Sequence, residues 1–269
     1  MKTLRTSLSI AILILIFGQS FAQPYFNPGS TSLVSTEGLN VREAPEIDAE
    51  VIDQLSFGQE VIITAMTDSS FSSNGRSYPF VEVLYQMDGQ ERNGFIWSGL
   101  LAAAYSYEGN SLYLLKHIKG GDMEDPKARF VLYKREEGKT QELSRFEYEY
   151  LELEMLEFIS LSVKEIEGFE NVENLIRIDI SHLACCSSND ELYFLESDAK
   201  SLSQLPSISN VFCDGEYPRH EYQFPMDAPG QRSRIIHTET EYDLEGNILR
   251  REQVQSIAWN GEKLSPYKN

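Results

Sequence analysis

Gly38-Leu39-Asn40-Val41-Arg42-Glu43-Ala44-Pro45 decides how this chain is read. Leu39 and Val41 alternate with Asn40 and Arg42, the period of a strand with one buried face. Pro45 cannot donate to a ladder, so a loop must follow. The stretch is answered by Gly94-Phe95-Ile96-Trp97, and the residues between them read as one compact module. Val51, Ile52 and Leu55 form an apolar segment, and Phe57-Gly58-Gln59 turns the chain into the β-branched run Glu60 to Ala65. Asp68 to Ser77, DSSFSSNGRS, has the composition of a surface loop. Tyr78 to Tyr85 returns as a strand, and Asp88-Gly89 is a hairpin signal before the closing strand Phe95 to Trp97. The expectation is a small barrel of five short strands, preceded by a Pro- and Gly-rich leader over residues 23–31.

The order L-N-V-R-x-x-P, apolar segment, F-G-x-x-V, loop, aromatic-V-x-V, D-G, G-F-I-W resembles the bacterial SH3-like (SH3b) family over about residues 32–103. Pro79-Phe80 stands where that family usually carries a Trp before the V-x-V strand, and the preceding loop is longer than usual. The resemblance implies a groove between the long loops that recognises a cell-wall peptide or glycan, or an envelope protein. Exposed aromatic rings and a few polar groups would line such a groove. The candidates are Phe71, Tyr78, Phe80, Tyr85 and Trp97, with Asn40, Arg42 and Glu43 as polar partners. Trp97 and Phe80 also suit the barrel core. Phe71, flanked by serines, is the expected exposed contact, and Arg42 is placed to pair with Glu43 or Glu82.

The first 22 residues read as a secretory signal peptide: Lys2 and Arg5 form a positive head, Leu8 to Phe17 is apolar but for Ser9, and Ser20-Phe21-Ala22 is a cleavage signal. The apolar run is too short for a spanning helix. An exported protein, in the periplasm or outside the cell, is expected. With 23 Lys+Arg against 42 Asp+Glu, the chain repels phosphate backbones and anionic headgroups, which argues against nucleic acid and the membrane surface as partners.

In an exported chain, three cysteines suggest one disulfide and one leftover thiol. Adjacent cysteines rarely bond each other, so Cys185 or Cys186 is expected to bond Cys213. Three free thiols are the alternative. Zinc at these cysteines with His182 or His220 lacks ligand spacing, and no metal or other cofactor is expected.

Residues 104–269 match no family pattern and read as a larger, mostly antiparallel β domain, which makes the chain all-β. Ser111 to Ile118, Arg129 to Arg135, Phe158 to Ile166, Leu175 to His182, Glu191 to Leu195, Arg234 to Tyr242 and Ile248 to Trp259 are strand candidates. Ile176, Ile178 and Ile180 alternating with Arg177, Asp179 and Ser181 are the clearest. Glu108-Gly109-Asn110, Glu245-Gly246-Asn247 and Asn260-Gly261 read as hairpin turns. Phe146 to Phe158, FEYEYLELEMLEF, fits a bulged strand or a short helix. Glu136 to Glu173 holds twelve Glu against Lys139, Arg145 and Lys164, so an acidic interaction or inhibitor protein is a second reading. A hydrolase is the third. Cys213 with His220 or His237, or Glu152 with Glu154, would have to carry it, but no nucleophile elbow, zinc-binding H-E-x-x-H or phosphate loop is present. The leading expectation is a non-enzymatic binding protein.

Overall fold

The structure, a computed structural model, describes residues 26–119, 127–149, 156–182, 187–198, 201–212, 218–227, 233–243 and 247–266. The signal segment, the three cysteines, Glu152, Glu154 and the Glu245-Gly246 turn lie outside the described residues. The chain is all-β, and every described strand pair is antiparallel.

Six strands form the first sheet: β1 (Thr31–Leu33), β2 (Leu39–Arg42), β3 (Val51–Leu55), β4 (Glu60–Ser73), β5 (Arg76–Met87) and β6 (Gln90–Trp97). Their order is β1-β4-β5-β6-β2-β3, curled into an open half-barrel. Leu39 and Val41 point into its core while Asn40 and Arg42 lie at the boundary, as the alternation requires. Gly94 explains why the two opening motifs belong together. A Cβ there would strike Val41 Cγ1 and come within 3.1 Å of the Arg42 carbonyl. Only a glycine lets β6 approach β2 this closely.

The surface loop expected over Asp68 to Ser77 is instead the tip of a long hairpin. β4 and β5 pair through Phe71↔Tyr78, Ser72↔Ser77 and Ser73↔Arg76. Asn74 and Gly75 close it with φ of +52° and +69°, the two left-handed residues that a tight hairpin turn demands. The serines mimic a loop in composition, but they pair across a ribbon whose Arg76 and Tyr78 are buried.

β7 (Ala104–Glu108), β8 (Ser111–Lys119), β9 (Lys127–Glu136) and β10 (Lys139–Glu149) form a second sheet, in the order β10-β9-β8-β7. β11 (Leu156–Glu165), β12 (Val172–His182), β13 (Ser187–Ser197), β14 (Leu202–Gln204) and β15 (Ile208–Phe212) form the third, with β14 and β15 sharing one edge of β13. β16 (Arg219–Gln223), β17 (Arg234–Tyr242), β18 (Ile248–Trp259) and β19 (Leu264–Pro266) form the fourth. Sequence alternation had pointed to seven of these strands, and the bulged-strand reading of Phe146 to Phe158 touched the end of β10; β7, β14, β15, β16 and β19 went unseen. The ambiguous FEYEYLELEMLEF run supplies the end of β10 and the start of β11, and residues 150–155 lie outside the described set.

Successive cores stack the sheets. Leu112 and Leu114 of β8 face the half-barrel, where they meet Leu33, Phe57 and Ala102. Tyr113 and Leu115 face the other way and join Phe130, Leu132, Ile176, Ile178 and Phe194. The third sheet then uses its far face, Leu175, Tyr193 and Leu195, to cover Tyr222, Phe224, Ile235, Ile257 and Trp259 of the fourth. Each buried aliphatic or Phe side chain contributes about 1.5–3 kcal/mol. The half-barrel is therefore docked on the second sheet. Main-chain bonds continue across the join, from Ala102 N–H to Leu33 O (2.8 Å) and from Ala103 N–H to Leu115 O (2.8 Å).

Candidate ligand site at the barrel junction

The residues expected to line a groove fall into separate places. Asn40 accepts a bond from Gln54 Nε2 at 2.9 Å. Arg42 donates to the Ala49 carbonyl at 2.7 Å and clamps the β2–β3 loop; it pairs with neither Glu43 nor Glu82, whose carboxylate binds Thr64 and Asn93 instead. Tyr85, 2% exposed, donates to Asp53 at 2.6 Å, and Arg92 grips the same carboxylate with both distances at 3.0 Å. Burial and then Asp53 push the Tyr85 hydroxyl well above its usual range, while Tyr85 and Arg92 hold Asp53 below the usual carboxylate range. Phe80 is a core residue at 2% exposure.

Only Phe71, Tyr78 and Trp97 come together. Trp97 Nε1 donates to both Phe71 O (2.9 Å) and Tyr78 O (3.0 Å). Phe71 is half-buried, and its ring meets the Trp97 ring edge-on at 5.4 Å. The serine-flanked ring is thus tied down by the indole and does not stand free in a loop.

The same place holds groups that composition did not reveal. Rings run from the hairpin into the second sheet: Tyr78 meets Trp97 at 6.1 Å and His117 at 6.0 Å, His117 stacks on Phe130 at 4.9 Å, and Phe130 stacks on Phe146 at 5.7 Å. His117 Nε2 lies 2.7 Å from Lys119 O, which can only accept, so Nε2 carries the proton. Nδ1 therefore accepts from the Tyr78 hydroxyl at 2.6 Å. Burial, reinforced by the Arg76 charge, lowers the His117 pKa to about 4 and keeps the ring neutral. Burial also pushes the Tyr78 hydroxyl up to about 12.

Arg76 sits at the centre. It is 6% exposed, 5.2 Å above the Trp97 ring and 6.0 Å from the Tyr78 ring. Its Nη1 donates to Gly99 O at 2.8 Å and to His117 O at 2.5 Å, so one nitrogen ties the half-barrel to β8. Nε is enclosed and has no hydrogen-bond partner, and no carboxylate among the described residues pairs with the guanidinium. Burial lowers the Arg76 pKa; burial and then Arg76 lower that of Lys116 on β8.

Elsewhere the principal buried ion pair is internally satisfied, although His220 Nδ1 and His237 Nε2 are enclosed without a hydrogen-bond partner. Lys134, 4% exposed, binds Glu196 at 3.0 Å; Glu196, wholly enclosed, also accepts from Tyr113 at 2.6 Å and Asn174 at 2.8 Å. A polar cleft of about 360 Å³ lined by Lys134, Glu136, Glu137, Lys139 and Gln141 opens beside this knot. Within the acidic run, Glu142 is held by Arg145, Glu147 by Arg129 and Lys127, and Glu173 lies 3.8 Å from Lys134. His220 and His237 stand 5.3 Å apart on β16 and β17. Among the described residues no group of three or more His, Cys, Asp or Glu side chains is placed to hold a metal ion.

Comparison with protein-family models and with curated proteins gives no match to the chain.

Proposed function

We propose that the chain is an exported, non-catalytic binding protein whose half-barrel belongs to the bacterial SH3-like family and recognises a cell-wall peptide or glycan, or an envelope protein. One observation carries this reading. Of the twelve large apolar side chains exposed among the described residues, five, Ile47, Val51, Ile52, Ile62 and Met66, lie on the half-barrel's β2–β3 loop, edge strand β3 and strand β4. Apolar side chains left exposed on one folded unit are candidates for its interaction surface. The aromatics expected to do this work are largely core, so recognition passes to aliphatic side chains outside the barrel. The acidic reading draws less support, because Glu142, Glu147 and Glu173 already have cationic neighbours.

Titration calorimetry of the folded protein against purified peptidoglycan fragments tests the reading. Saturable heat that weakens at least tenfold in Ile52→Asp is expected. No heat, together with no retention on intact cell wall, would overturn recognition of the wall.

A further inference from the structure

We propose that Arg76 and Lys116 form an anion site, at the junction of the half-barrel and the second sheet, that binds a carboxylate group of an external ligand. A buried guanidinium without a counter-charge is costly. Arg76 is 6% exposed in a chain with 42 acidic residues, and no described carboxylate neutralises it. Both of its hydrogen bonds leave from Nη1. The Nε–Nη2 edge, which grips planar oxyanions in two parallel bonds, is uncommitted, and its Nε is enclosed without a partner. Lys116, half-buried on β8 next to His117, whose carbonyl binds Arg76, adds a second positive charge, and burial and then the Arg76 charge lower its pKa.

Trp97 and Tyr78 hold the guanidinium plane in position, so little of its orientation has to be fixed on binding. We place access past the hairpin tip, because Arg76 directly follows the exposed Asn74-Gly75 turn. Asn74 and Gly75 are exposed and close a two-stranded ribbon, whose end must shift for a ligand oxygen to reach Nε. A carboxylate fits better than a chloride because it offers two coplanar oxygens to two parallel donors.

The site is separate from the exposed aliphatic face, and its test is independent of the cell-wall experiment. The probes are N-acetyl-alanyl-alanine, its C-terminal amide, and acetate. Calorimetry on the folded protein is expected to show saturable binding of the acid, at least tenfold weaker for the amide and in Arg76→Gln. Lys116→Gln leaves the two carbonyl bonds of Arg76 intact, so it keeps the fold and is expected to weaken the acid several-fold. Competition by acetate would support a bare carboxylate as the recognised group; its failure to compete would support a peptide terminus. No saturable binding of the acid below roughly 10 mM, equal binding of acid and amide, or an affinity unchanged in Lys116→Gln and Arg76→Gln would overturn the proposal. So would binding that emerges only when Asp122, Glu124 and Asp125 are all changed to amides, because the chain's own acidic segment would then be the occupant.

Discussion

Two cations are buried where sheets meet, and they are treated differently. Lys134, between the second and third sheets, has Glu196 at 3.0 Å, and Tyr113 and Asn174 complete the carboxylate's bonds. Arg76, between the half-barrel and the second sheet, has two carbonyls, two aromatic faces and no described carboxylate. The first arrangement is closed: each charged group has its partner, and nothing is left to offer a ligand. The second is open by one charge. Burial alone therefore does not separate a structural ion from a binding group; the state of compensation does.

The largest expected effect breaks the closed pair. Glu196→Leu leaves the buried Lys134 ammonium with only the more distant, part-exposed Glu173 at 3.8 Å, and should cost about 3–5 kcal/mol in denaturant unfolding. Lys134→Met combined with Glu196→Leu should recover most of that loss, since a matched apolar pair is often neutral. Failure of the double variant to recover would mean that the pair orders the junction in some way beyond its charge.

β13, which carries Glu196 near one end, suggests the next test at its other end. Ser187 pairs with Phe212, and these are the sequence neighbours of Cys186 and Cys213. Of the two pairings left open by the sequence, Cys186 with Cys213 is expected in the oxidised protein, and its reduction should cost about 2–4 kcal/mol. Peptide mapping without reduction reads this directly; a Cys185–Cys213 peptide or three free thiols would contradict it.

On the open side, His117 gives the junction a pH dependence. Its folded pKa of about 4 lies below the ordinary 6.5, so the unfolded chain binds the extra proton between those values. Stability from this group is complete above about pH 6.5 and is lost as pH falls toward 4, by up to about 3 kcal/mol. In His117→Gln the stability–pH curve should be shallower over that window. An unchanged slope would show that other groups set it. The smallest effect is expected at the barrel seam: Gly94→Ala overpacks Val41 and should cost about 1–3 kcal/mol, while leaving carboxylate binding at Arg76 within twofold.

Much of this architecture can be read from the sequence where one face is apolar and the other wet. The alternation of Ile176, Ile178 and Ile180 is seen in full: all three are buried, while Arg177 binds Asp179 on the opposite face. The junction could not be read in the same way. Ser72, Ser73 and Asn74 hide a hairpin behind a loop-like composition, and nothing in Asn74-Gly75-Arg76 shows that the arginine turns inward under an indole. Lys134 and Glu196 left a fainter signal. Lys134 continues the buried row Ala128, Phe130 and Leu132, and Glu196 the row Leu192 and Phe194. A charge on the core phase of each of two strands is the sequence trace of a buried pair. Arg76 also stands on a core phase, continuing the buried row Tyr78 and Phe80, but the loop-like composition before Tyr78 hid its strand and no carboxylate answers it among the described residues.

The difference between the two cations is most directly observed in the ¹H–¹⁵N spectrum of the arginine Nε groups, followed while N-acetyl-alanyl-alanine is added. The Arg76 Nε–H, enclosed and unpartnered, should give a slowly exchanging signal that shifts saturably with the peptide acid and stays still with its amide. An Arg76 signal that exchanges as fast as those of surface arginines, or that does not move with the acid, would contradict the reading of Arg76 as a carboxylate-binding group.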